Sequence, residues 1–134
     1  MRQRTTSDGA NEFWRRLLAG LAAAQALAVL GQAWLAGGFL TGVGAALDAH
    51  RNMAFGVIQW IALFALIAAI AWWRPARGPA WPIAATALSL LAIGAQIAVG
   101  FANQLAVHIP LGVSIFGLNL WLATAVSRYE RKRT

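Results

Sequence analysis

The chain contains no cysteine, so disulfides, thiolate metal centres and cysteine nucleophiles are all excluded. Acidic residues are nearly as scarce, four against eleven Lys and Arg in 134 residues. None of the four lies inside a long apolar run, which leaves no material for a carboxylate proton relay or an acidic cation site. Charged residues make up only 11% of the chain, where a soluble domain carries about 25%. A water-facing coat cannot be built from so few. No glycine-rich phosphate loop follows a strand, and no serine has histidine and acid partners in evident reach, so an ATPase or hydrolase has no support.

What is abundant is apolar length, with 60% of residues hydrophobic. Spanning a hydrocarbon core of about 30 Å takes roughly 20 apolar residues in a helix. Residues 17–40, 53–73, 83–101 and 105–126 each qualify. The expected fold is an all-α membrane protein, a four-transmembrane-helix up-down bundle with spans at about 17–40, 51–73, 82–101 and 105–126. The membrane domain then occupies 13–127, between a loose polar segment (1–12) and a basic tail (128–134). The first run is much longer than the ~7–15 residues of a signal-peptide core and lacks a convincing cleavage site, so it is read as retained. Glycines in "AGGFLTGVG" end span one, and the prolines of "WWRPARGPAWP" force a tight connection after span two.

The formal charge of +7 is explained by where the charges fall. Arg2, Arg4, Arg15 and Arg16 precede span one, Arg74 and Arg77 separate spans two and three, and Arg128, Arg131, Lys132 and Arg133 follow span four. Arg51 alone lies on the other side. This asymmetry puts both termini in the cytoplasm of a multi-pass plasma (inner) membrane protein. The basic flanks attract anionic headgroups at about 1 kcal/mol per residue, so the lipid bilayer is the partner and no nucleic acid is required. Trp14, Trp72, Trp73, Trp81 and Tyr129 are expected to form the inner aromatic belt.

Polar residues recur inside the spans at intervals of almost two helical turns: Gln25 and Gln32 in span one, and Ser89, Gln96 and Asn103 in span three. Such stripes face a bundle interior and bond across helices, because an amide facing lipid has no partner. Spans one and two also resemble spans three and four. Each outward helix carries a glutamine then a glycine (Gln32 with Gly37, Gln96 with Gly100), and each inward helix opens on a histidine followed four residues later by a small residue. This pattern suggests an internal two-fold repeat about an axis along the membrane normal.

The histidines are His50 and His108. Both open inward-running spans that lie diagonally in an up-down bundle, so both rings are expected at one level near the outer face. Two neutral imidazoles opposed across a core match the axial demands of a six-coordinate haem iron. Ala54 and Gly112, one turn below, would leave a slot for the macrocycle, with Phe55 and Phe116 as packing partners. Arg51 could pair with a haem propionate, Asp48 could orient an imidazole, and Asn119 adds an interior polar group further down. Alternatively, both histidines simply suit a half-wet interface, and the small residues only permit close helix packing.

The elements "AHRNMAFG", "AQIAVGF" and "VHIPLGVSIFGLNLWLA" resemble one four-helix half of haem A synthase, an enzyme of two such halves with a histidine opening the second and fourth helix of each. The layout also looks like that of uncharacterised four-helix bacterial membrane proteins with paired histidines. The resemblance implies that His50 and His108 form the axial pair of a b-type haem, with Arg51 completing a His-Arg motif. It departs where the synthase motif has glutamate, because position 47 is Leu and Asp48 comes one residue, or about 100° of helix, too late. With no second half in the chain, the resemblance implies a haem-binding scaffold and not haem A synthesis.

The expectation is therefore a cytochrome b-like membrane protein, not an enzyme on its own, that binds haem b at His50 and His108 for electron transfer or haem handling with a membrane redox partner. A non-catalytic accessory or assembly subunit of a larger complex is the alternative, and a small transporter lined by the Gln and Asn stripes a third. Association as a homodimer stays open.

Overall fold

The computed structural model describes residues 6–129, with side chains from Asp8 onward. Four helices follow in order: α1 (Thr6–Leu40), α2 (Gly44–Trp73), α3 (Trp81–Phe101) and α4 (Leu105–Ser127). Among the described residues there is no strand. All four helices are long and apolar enough to cross a membrane, which defines an all-α bundle of multi-pass membrane type. The positions of Arg2, Arg4, Arg131, Lys132 and Arg133 lie outside the described residues.

Two helices start earlier than their sequence suggests. The segment expected to be loose is helical from Thr6, and Asp8 in its first turn favours that terminus electrostatically. The loop after α1 shrinks to residues 41–43. Gly42 takes φ +95 there, the left-handed conformation that lets the chain reverse so abruptly. Because α2 begins at Gly44, His50 lies in its second turn instead of at its first residue.

α1 packs on α2 and α4, and α3 packs on the same two. The helices thus form a ring in chain order, with α2 and α4 diagonal as the up-down arrangement requires. Two core layers fill it. Towards the arginine-rich end Leu18, Ala22, Ala65, Ala69, Trp72 and Leu122 meet, and further along Ala28, Ile58, Ala62, Ile93 and Ile115. Alanine dominates because, where the surroundings are as oily as the core, helices associate by close van der Waals approach. The bulky apolar residues point outward instead, Trp34 (81% exposed), Leu91 and Leu27 among them.

The arginine-rich end is laced by polar contacts. Arg15 donates to the carbonyls of Val126 (3.1 Å) and Ser127 (2.8 Å) in the last turn of α4, where the Val126 oxygen also accepts the Tyr129 N–H. Its guanidinium also holds both carboxylate oxygens of Glu12, at 3.0 and 2.9 Å. Trp72, placed in the aromatic belt by the sequence, is instead fully buried. Its indole N–H has a partner inside, the Oδ1 of Asn11 at 3.1 Å, and Asn11 in turn donates to the carbonyl of Ala76. Gly78 closes over this ring so tightly that a Cβ there would meet Trp72 Cδ1 at 2.5 Å.

Gln25, Gln32, Ser89 and Gln96 face inward as expected, but Asn103 does not: α3 ends at Phe101, and Asn103 lies exposed in the following turn with φ +53. Asn119 donates to Ser89 Oγ (2.8 Å) and to the carbonyl of Ile115 (2.9 Å). Gln25, expected to bond across helices, is fully buried with both amide atoms unpartnered. An unsatisfied buried amide costs about 1–3 kcal/mol. Gln25→Leu is therefore expected to stabilise the bundle by roughly that amount, read as a higher unfolding midpoint in detergent.

Candidate functional site

At the end opposite the arginines the ring of helices opens around a cavity of about 300 Å³, within the size range of small-ligand sites. His50 and His108 both line it, with ring centroids 6.1 Å apart and planes at 47°. The level placement expected of two diagonal, parallel-running helices is present.

Each ring is held by the same reciprocal clasp. His50 Nδ1 lies 3.2 Å from the backbone oxygen of Gln32, and Gln32 Nε2 donates back to the backbone oxygen of His50 at 3.0 Å. In the other half, His108 Nδ1 lies 3.0 Å from the oxygen of Gln96, and Gln96 Nε2 donates to the His108 carbonyl at 2.8 Å. A carbonyl can only accept, so each Nδ1 must carry the proton. The neutral imidazole then presents Nε2 as its basic nitrogen, the state that binds a metal. The same logic fixes both amides. Their Nε2 atoms must face the histidine carbonyls, and the Oε1 atoms of Gln32 and Gln96 are left buried and unpartnered.

The clasp corrects two details of the sequence reading. Imidazole orientation comes from a glutamine carbonyl, not from Asp48, which is exposed. The repeat pairs Gly100 with Ala36, not with Gly37: both line the cavity, each four residues past its glutamine. Gly37 is exposed and has open space where a Cβ would point. Gly100 is needed for room, since a Cβ there would sit 2.9 Å from Cε1 of His108. Gly112 and Ala54 both line the cavity. The space above Gly112 is partly taken by Gln96, whose Nε2 would lie 3.0 Å from an added Cβ.

Around the rings the wall is apolar. Phe55 packs on Phe101 at 5.9 Å between centroids and both line the cavity, while Phe116, the other expected partner, is absent from the wall. Arg51 is exposed at the cavity and, among the described residues, forms no salt bridge. Leu47 also lines the cavity. Directly after His50, residues Ala54–Ile58 form a π-helical turn within α2, a feature often found at functional sites. Neither the clasp nor the π turn was legible beforehand. The recurrence of glutamine before histidine in both halves was the only available signal of the clasp.

Among the described residues no group of three or more His, Cys, Asp or Glu could hold a metal ion. An ion that arrives with its own equatorial ligands needs only the pair. Comparison with known proteins finds no matching family model, curated protein or solved structure. The class defined by the fold is a four-helix membrane bundle with an imidazole pair at one end of its core.

Proposed function

We propose that the protein is a cytochrome b-like membrane protein, in which His50 and His108 hold one b-type haem for electron transfer or haem handling. The observation that carries this is the spacing of two clasped, neutral imidazoles across a cavity. A metal–imidazole bond of about 2 Å on each side, plus about 1 Å from nitrogen to ring centre, asks for centroids roughly 6 Å apart. They are 6.1 Å apart. The donor set also fits: a porphyrin iron lacks only two axial nitrogens, and the chain offers two.

The residues have separable tasks. Gln32 and Gln96 fix the tautomer, keep Nε2 free and restrain each ring in rotation. Phe55, Phe101, Ala54 and Gly112 contribute apolar wall, and Arg51 offers a charge-assisted bond to a carboxylate at the surface. A bound haem would supply a one-electron iron couple, which the apolar wall would hold in a low-dielectric setting. No carboxylate lines the cavity among the described residues, which supports a carrier or handling role over haem A synthesis. The ten-to-one distribution of Lys and Arg supports an orientation with both termini cytoplasmic and the haem near the outer face, and the arginine- and alanine-rich usage supports a plasma (inner) membrane location.

Protein purified from haem-replete cells is expected to show a Soret band and the sharp α and β bands of a low-spin reduced haem. The paired change His50→Ala with His108→Ala is expected to abolish them, with helicity by circular dichroism unchanged. A colourless wild type that co-purifies with a stable partner favours the accessory-subunit reading instead. Bands that survive the double change rule the site out.

A further inference from the structure

The ring of helices is not closed to the same degree along its length. α3 packs on the half of α2 nearer the arginine-rich end, Gln59–Trp73. The other half, residues 44–58, packs on α1 and makes no comparable backbone approach to α3 or α4 among the described residues. At the level of the cavity the seam between α2 and α3 is therefore bridged by side chains. Phe55 meets Phe101 there, at 5.9 Å between centroids. Both rings line the cavity and both are about half exposed (47% and 59%), so this wall of the cavity is also an outer face of the bundle. The seam lies where α2 passes through its π turn, Ala54–Ile58, a place at which helices bend.

The charge around the cavity is as uneven as its walls. Among the described residues Arg51 is the one cationic side chain that lines it, no acidic side chain does, and Arg51 forms no salt bridge. It stands exposed on α2, one turn before Phe55. The remaining polar groups are neutral. Gln32 with His50 and Gln96 with His108 are engaged with each other's backbone, and Asn103 lies exposed in the turn after α3. An apolar chamber with a single cation at its edge suits a guest with an apolar body and a negatively charged end. A guanidinium matches a carboxylate in both charge and geometry. At about 300 Å³ the chamber suits a single chain or ring system, not a two-chain phospholipid with its headgroup.

We infer that the cavity is a site for membrane-dissolved carboxylates, entered sideways from the bilayer between α2 and α3 past Phe55 and Phe101, with Arg51 holding the carboxylate at the surface. The class covers haem, through its propionates, and free fatty acids. The inference goes beyond the functional reading above by giving the route and the recognition group, and it needs no iron. Entry requires no helix to unpack, because only two half-exposed phenyl rings have to turn aside, and exposed side chains change rotamer rapidly. A sideways route also spares the apolar body a passage through water.

The test uses the full chain in lipid nanodiscs, prepared without haem, and a diazirine-bearing palmitic acid, with its methyl ester as the uncharged probe. On illumination the acid is expected to leave adducts on the cavity residues Ala54, Ile109 and Gly112. The ester is expected to mark chiefly the outward-facing Leu27, Trp34 and Leu91. Arg51→Gln is expected to lower the cavity adducts of the acid about tenfold, as the loss of one charge-assisted hydrogen bond implies. Adducts on the outward-facing residues should persist in that variant, which reports an intact fold. Because the chain has no cysteine, Phe55→Cys with Phe101→Cys can be joined by a short bis-thiosulfonate cross-linker. The joined protein is expected to lose its cavity adducts and to regain them on reduction. Equal cavity labelling by acid and ester, or by Arg51→Gln and wild type, overturns the carboxylate assignment. Labelling that ignores the cross-link overturns the sideways route. Suppression of the cavity adducts by haem supplied beforehand identifies haem as the guest within this class. Cavity adducts in a protein that never shows a Soret band keep the inference and remove the haem reading.

Discussion

If the proposed haem site holds, Gly100→Val is expected to lower haem occupancy by about 10–100-fold, the range typical when a group that orients a metal ligand is disturbed. The cause is steric and local. A Cβ at Gly100 would lie 2.9 Å from Cε1 and 3.1 Å from Nδ1 of His108, and the two γ-methyls of valine add to that conflict. The ring must leave the Gln96 carbonyl that holds its proton on Nδ1, losing both its aim and its tautomer. The helices should survive, because Gly100 lies at the end of α3, close to its last residue, Phe101. Gly37→Val is the control, since open space surrounds that position. The readout is the ratio of haem to protein after purification, with helicity measured alongside. Equal occupancy in Gly100→Val and wild type would show that His108 is not held as described.

Trp72→Ala is expected to carry the largest stability cost in the chain, about 3–5 kcal/mol. Its ring is completely buried among Leu18, Ala69 and Leu122 in the core layer at the arginine-rich end, and Tyr129 meets it edge-on at 5.4 Å. Removal leaves a cavity that alanine-rich neighbours cannot collapse to fill, and it strands the Asn11 carbonyl oxygen that the indole N–H satisfies. Trp72→Phe separates the two effects, because it keeps most of the volume and loses the hydrogen bond, for about 1 kcal/mol. Trp34→Ala, at a residue 81% exposed, should stay within about 0.5 kcal/mol. Reversible unfolding in mixed detergent micelles would rank the three. A Trp72→Ala protein as stable as wild type would mean that the layer is not packed as described.

The contrast between Trp72 and Trp34 shows where sequence reasoning stops. Both are tryptophans in oily segments, and hydropathy treats them alike. Which one enters the core depends on Asn11, sixty-one residues before Trp72, reaching it from a segment whose polarity suggested a loose tail. Similarly, Gln25 and Gln32 lie on one stripe of α1, and their spacing correctly turned both inward. Only assembly decides that Gln32 meets the backbone of His50 while the Gln25 amide meets no partner. A periodicity identifies a face, whereas a hydrogen-bond partner lies on another helix at a depth that the period does not encode.

At the site itself, the histidines, Arg51, Ala54 and Gly112 were all legible as lining candidates, and all line one cavity. Asp48 was misassigned because a nearby carboxylate is an obvious partner for an imidazole. A backbone carbonyl, which every residue possesses, leaves no mark in a sequence.

The residue types alone determined the four spans, their alternating direction and the inward face carrying Gln25, Gln32, Ser89 and Gln96, because each follows from local apolar length, charge asymmetry and helical period. The tertiary structure alone decided the 6.1 Å between the rings, the paired clasps and the close fit of His108 against Gly100. Those quantities depend on how closely distant helices approach, and that is set by contacts among residues far apart in the chain.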